Sequence, residues 1–139
     1  MIVQNRDASR RVFVETWRKY RSKQPLAGIE HIVAGVILQH PEYQHWLEQP
    51  GIMQHDFQSV PDGDNPFLHM GLHIAVQEQI STDRPAGTLS CYHALRLKYP
   101  DEHGLQHRMM ECLGHSLWQA QKRGKMPDEA EYLESLGRL

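Results

Sequence analysis

Two pairs of histidines set four residues apart, His69 with His73 and His103 with His107, are the residues in this chain best suited to do chemistry. On a helix, a four-residue step brings two side chains onto one face, about one turn apart. Two imidazoles so placed can reach one metal ion. Glu111 and His115 continue the ridge begun by His103 and His107, and Glu111 adds a carboxylate. His40 closes an apolar seam formed by Ile29, Val33 and Val36, so it is expected to leave its helix pointing at the core. The candidate ligand set is therefore His40, His69, His73, His103, His107 and Glu111. A mixed nitrogen and oxygen set suits Fe, Zn, Mn or Ni. It disfavours Ca²⁺ and Mg²⁺, which prefer all-oxygen shells.

Each of these residues also has a plainer reading. His69 and His73 can be core histidines bonded to carbonyls and carboxylates, since a buried imidazole needs partners for its ring nitrogens. His103, His107 and Glu111 can form a polar stripe at the solvent margin, helped by attraction between His107 and Glu111. His40 can simply cap the turn that Pro41 opens. His31, His45, His55 and His93 have no partner at ligand spacing and read as surface or singly bonded groups. Ten histidines scattered at random over 139 positions would give roughly 0.7 pairs at spacing four, so the two found here exceed chance without proving a site. Other chemistry is thin. No Gly-rich phosphate loop, no His-Glu-x-x-His and no cysteine cluster occurs,. Cys112 lies across its helix from His103, which argues against a thiol–imidazole dyad.

Elements must hold these residues in place. The first helix is expected from Asp7, as its cap, to about Ser22, with Val12, Phe13, Thr16, Trp17 and Tyr20 as its buried stripe. Gln24-Pro25 breaks it. A second helix over 26–39 is more apolar, and Pro41 opens a short turn through 48. Pro50-Gly51, Pro61 and Asp62-Gly63-Asp64 make 49–64 a long loop, a length that usually signals function or motion. Asn65 and Pro66 then start the His69/His73 helix, as cap and first residue. A helix over 86–99 carries Leu89, Tyr92, His93 and Leu97. Asp101 caps a long helix over 102–123, with Leu105, Met109, Met110, Leu113, Leu117 and Trp118 as its apolar arc and Gly124 as its C-cap. Met126-Pro127-Asp128 starts a short last helix bearing Tyr132, Leu133 and Leu136. No strand-like alternation occurs. The fold class is all-α, a single-domain helical bundle of about four main helices plus short segments.

Composition excludes several functions. A net charge of -2 gives no electrostatic case for nucleic acid or an anionic membrane. The basic residues of the first helix are offset elsewhere, so they read as a solvated face. No apolar run approaches a membrane span, and the N-terminus lacks the pattern of a signal peptide. A cytoplasmic protein is expected, with Cys91 and Cys112 as buried, reduced thiols.

Several stretches resemble the small proteobacterial proteins grouped as domain of unknown function family 1841. They are Trp17-Arg18-Lys19-Tyr20, His40-Pro41-Glu42-Tyr43, the run from Asn65 through Phe67-Leu68-His69 to His73, Glu78-Gln79, and Asp83-Arg84-Pro85-Ala86-Gly87. The likeness continues through His103 to His107, Met110-Glu111-Cys112-Leu113-Gly114 and Trp118-Gln119-Ala120-Gln121, and so spans nearly the whole chain. That family usually carries an acidic residue where this chain has His115, so the resemblance lends His115 no support as a ligand. It implies relatives and no activity.

Two functions follow. One is a helical bundle that binds one or two divalent metal ions through histidines and Glu111, with its reaction open. The other is a metal-free helical adaptor whose aromatic residues meet a protein partner or a second copy of the chain. Neither the hemerythrin order of ligands nor the Glu-x-x-His di-iron pattern is present.

Overall fold

The computed structural model describes residues 6–54 and 65–139, with side chains from Ala8 onward. The side chain of Asp7, expected as a cap, and loop residues 55–64 with His55 fall outside what is described, and the backbone of Asp7 already lies within the first helix. Among those described, seven α-helices and one 3-10 turn account for the regular structure, with no strand: α1 (Arg6–Arg21), α2 (Glu30–Leu38), α3 (Pro41–Leu47), the 3-10 turn Ile52–Gln54, α4 (Pro66–Thr82), α5 (Thr88–Lys98), α6 (Glu102–Arg123) and α7 (Glu129–Gly137). The fold is the expected all-α helical bundle. It divides into two compact units, residues through Ile74 and residues from Ala75, and the division falls within α4.

In the first unit, α1, α2, α3 and the 3-10 turn pack on one another. Phe13, Trp17, Val33, Val36, Ile37, Leu47, Ile52, Phe67, Met70 and Ile74 form its core. Phe13 and Phe67 meet with ring centroids 5.7 Å apart. Arg10 is buried yet satisfied: its guanidinium donates to the Met53 carbonyl at 3.1 Å and lies over the Phe67 ring. Burying a cation this way needs such partners. Trp17 donates its indole N–H to Glu48 at 2.9 Å, tying α1 to the end of α3. Tyr20, expected in the buried stripe, is 43% exposed and stacks on Trp17 instead.

The second helix starts four residues later than its apolar pattern suggests. Gly28 adopts a left-handed φ of +58°, a conformation that suits glycine. The Glu30 carboxylate accepts the Ala27 N–H at 3.0 Å, closing a turn ahead of the helix. The same carboxylate takes Lys19 Nζ at 2.8 Å, so Glu30 is engaged on the surface of α1. The Lys19 ammonium and the Ala27 N–H hold its carboxyl below the usual carboxylate range.

In the second unit, α5, α6 and α7 pack together around Tyr92, Leu95, Leu105, Met109, Met110, Leu113, Tyr132 and Leu136. Tyr132 donates to Gln79 Oε1 at 2.5 Å, and Gln77 donates to Gln106 at 3.2 Å, joining this part of α4 to α6 and α7. Desolvation pushes the Tyr132 phenol well up from its ordinary value. The start of α5 moves from 86 to Thr88 because Asp83 accepts the Gly87 and Leu89 N–H groups and Gly87 turns at φ +102°. Its buried face is Tyr92 with Leu95, while His93 and Leu97 are exposed. The α6 ends match expectation: Asp101 accepts the Gly104 N–H, and Gly124 closes the helix at φ 64°. The arc on α6 stops short of its expected length. Leu117 and Trp118 are 42% and 53% exposed, and Lys122 covers the Trp118 ring.

No helix among the described residues is long and apolar enough to cross a membrane.

Candidate metal centre

His40 owes its place to the proline that follows it. Pro41 pushes the preceding residue away from helical geometry, and His40 sits at φ -127°, ψ 70°, just past the end of α2. Its own N–H bonds the Ile37 carbonyl at 3.1 Å rather than Val36, its helical partner four residues back. The Val36 carbonyl instead receives the His40 ring, with Nδ1 at 2.7 Å. A carbonyl only accepts, so Nδ1 carries the hydrogen. In the neutral ring Nε2 is then the bare nitrogen. A metal-binding histidine is commonly oriented in this way, with one nitrogen donating to a backbone carbonyl. His40 makes no side-chain cap to α3, which removes the simpler explanation for a histidine before Pro41.

His69 and His73 come from α4. Asn65 accepts the Phe67 and Leu68 N–H groups and so caps α4 as expected,. One turn further on, His69 is half-buried, and His73 is wholly buried beside Met70 and Ile74. The His40 ring stands edge-on to both, with centroids 4.7 Å from His69 and 5.1 Å from His73. His40 Nε2 lies 3.0 Å from His69 Nε2. Two ring nitrogens so close cannot present lone pairs to each other; a proton or a cation must lie between them. Nitrogens about 2.1 Å from one ion stand roughly 3.4 Å apart at a tetrahedral angle and about 3.0 Å at a right angle, so the spacing matches the right angle and falls about 0.4 Å short of the tetrahedral one.

His107 completes the group. One ring nitrogen each from His40, His69, His73 and His107 lies within 4.8 Å of all the others. Ligands on opposite sides of one ion stand about 4.2 Å apart. The donor set, four imidazoles of which two are fully buried, fits a divalent transition metal. Among the described residues, no carboxylate or thiolate belongs to the group.

The other expected ligands stand outside it. His103 is half-buried, its ring centroid 4.2 Å from that of His107 at a tilt of 50°. Glu111, one turn beyond His107 on α6, is exposed, as is His115. His31, His45 and His93 are exposed, in keeping with their reading as surface groups. Cys91 and Cys112 are free thiols, both half-buried. Cys112 Sγ approaches the Ser135 carbonyl at 3.8 Å, and burial pushes the Cys91 thiol up.

One neighbour of the group carries no signal in histidine spacing. Tyr43 stacks almost parallel on His40, centroids 5.5 Å apart at 10°, and meets His69 edge-on at 5.7 Å. It lies three residues after His40 across the Pro41 turn, a step that returns the chain to the same side of α3. That step was readable in His40-Pro41-Glu42-Tyr43.

No curated protein and no solved structure matches the chain. A family model matches residues 5–138, and the chain belongs to that family, described as a domain of unknown function (DUF1841).

Proposed function

We propose that this protein binds a divalent transition-metal ion through one ring nitrogen each of His40, His69, His73 and His107. The single observation that carries the reading is His40: its Nδ1–H is spent on the Val36 carbonyl, and its Nε2 faces another imidazole nitrogen 3.0 Å away. With Glu111 exposed and outside the group, the set among the described residues is imidazole alone. Imidazole suits Zn, Ni or Fe better than Mn, which favours carboxylate and water. Four neutral ligands leave the ion its full charge. A closed tetrahedron would be structural, and an expanded shell would leave a position for water or substrate.

The test is equilibrium dialysis of untagged, chelator-treated protein against Zn²⁺, beside His73→Asn. The wild type should retain one ion per chain, and the variant should bind at least about tenfold more weakly. Equal binding by both would place the ion elsewhere.

A second reading is a helical adaptor, and the exposed Leu117 and Trp118 on α6 favour it. It expects no saturable metal binding.

A further inference from the structure

The stretch His40-Pro41-Glu42-Tyr43 delivers more than one ligand. Tyr43, on α3, stacks on the His40 ring at 10° with centroids 5.5 Å apart, and meets the His69 ring edge-on at 5.7 Å. His40 and His69 in turn stand edge-on at 4.7 Å. The three rings are thus pairwise neighbours, all within the first compact unit. The backbone leaves Tyr43 little freedom. Its N–H donates to the His40 carbonyl at 2.9 Å, and the His40 N–H donates to the Ile37 carbonyl at 3.1 Å. The Gln44 side-chain amide donates to that same Ile37 carbonyl at 3.3 Å. Pro41 locks one more dihedral of the turn. A tyrosine ring has only two side-chain angles to lose, so holding it against His40 costs little entropy. The plainer role for Tyr43 is packing, since it is half-buried and lies against the first-unit core. Packing asks only for apolar bulk. It does not ask for a flat ring parallel to an imidazole.

We propose that Tyr43 is a positioning residue for the divalent cation: its ring fixes the planes of His40 and His69 and favours the ion-bearing form of His40. The inference rests on the metal reading above. Two restraints are needed to aim an imidazole lone pair. The Nδ1–H bond to the Val36 carbonyl at 2.7 Å anchors one edge of the His40 ring but lets the ring swing about that bond. The stacked phenol blocks the swing, so Nε2 keeps its direction. The terminal torsion of a histidine is broad, and the edge contact with Tyr43 narrows it for His69. Electrostatics act in the same sense. The face of an aromatic ring is negative. An imidazole that holds a divalent cation is drained of electrons, and such a face attracts it more than it attracts the free ring. The stack therefore contributes more to the loaded protein than to the empty one, and the difference appears as affinity. The ring does this and the hydroxyl does not, so phenylalanine should serve almost as well.

The experiment measures Zn²⁺ affinity by competition with a chromophoric chelator, and Zn²⁺ release to excess chelator, in wild type, Tyr43→Phe, Tyr43→Leu and Tyr43→Met. The visible absorption of the Co²⁺-loaded proteins is recorded beside them. Circular dichroism confirms that each variant is folded, and two aliphatic substitutions guard against loss of one. Tyr43→Leu and Tyr43→Met should raise Kd about tenfold, chiefly through faster release, while Tyr43→Phe stays within about twofold of wild type. The Co²⁺ ligand-field bands should change in the two aliphatic variants and keep their wild-type form in Tyr43→Phe. A wild-type Kd in the aliphatic variants, or Co²⁺ bands that do not change in them, would overturn the proposal. Tyr43 would then be a packing residue, and the metal site would stand. Binding by Tyr43→Phe as weak as by Tyr43→Leu would overturn it too, by assigning the effect to the hydroxyl. Absence of Zn²⁺ binding by the wild type would overturn both the site and the role of Tyr43.

Discussion

At the scale of the residue, His40 has two jobs that separate experimentally. Its Nδ1–H satisfies a carbonyl at the end of α2, and its Nε2 faces the other imidazoles. His40→Ala should unfold more easily even in chelator, by about 0.5–1.5 kcal/mol, because the Val36 carbonyl loses the ring donor and keeps only the Gln39 N–H,. In the same protein Zn²⁺ affinity should fall at least about tenfold. Urea unfolding with chelator reads the first effect and metal titration reads the second. A variant that lost stability but bound Zn²⁺ normally would make His40 a structural histidine. Acid should compete with the ion at every ligand, since imidazole must be neutral to bind. Between pH 7.5 and pH 5.5 the Zn²⁺ affinity should drop by more than about tenfold, and dialysis at both values checks it. The grouping of four histidines was in large part legible in residue spacing. The two four-residue steps pointed to His69, His73 and His107, and the seam 29–33–36 pointed to His40. That His103 and Glu111 stand apart was not legible, because residues on one ridge share a face while only the surrounding elements decide how deep each turn lies.

At the scale of the element, helix ends followed sequence where a side chain makes the cap. Asp101, Asp128 and Asn65 each accept a backbone N–H at the start of a helix. Asp128→Ala should therefore cost about 1 kcal/mol, measured as a shift in the urea midpoint; no shift would mean that α7 is held by Tyr132 and Leu136 alone. The ends that moved, at α2 and α5, are those where a glycine turns left-handed, Gly28 and Gly87. Apolar periodicity runs straight through such positions and does not register them. Glu30 at the start of α2 pairs with Lys19 of α1. Its folded-state carboxyl lies below its unfolded value, so its contribution to stability is present above the usual carboxylate range and is lost as pH falls through the lowered value. Glu30→Gln should flatten the acid limb of the stability profile there, and an unchanged limb would show that the ion pair adds nothing in solution. The unmet arc on α6 has a related cause: Trp118 sits off the line of Leu113 and Ala120, and its flat face is served by Lys122.

At the scale of the whole molecule, the fold class was readable because every long stretch repeats at helical spacing. An ion that binds the folded chain and not the unfolded one stabilises it by mass action, about 2.7 kcal/mol when free metal is a hundred times Kd. Zn²⁺ should therefore raise the Tm in proportion to the logarithm of its concentration, and chelator should reverse the gain. The same gain in a variant lacking both His40 and His73 would place the stabilising ion outside the group. The most direct measurement is X-ray absorption at the zinc edge of untagged protein loaded with one equivalent. Zinc held by nitrogen alone, with the outer-shell scattering of three or four imidazole rings, is the predicted result. A shell containing sulfur, or one dominated by water and carboxylate oxygen, would contradict the assignment of His40, His69, His73 and His107 as its ligands.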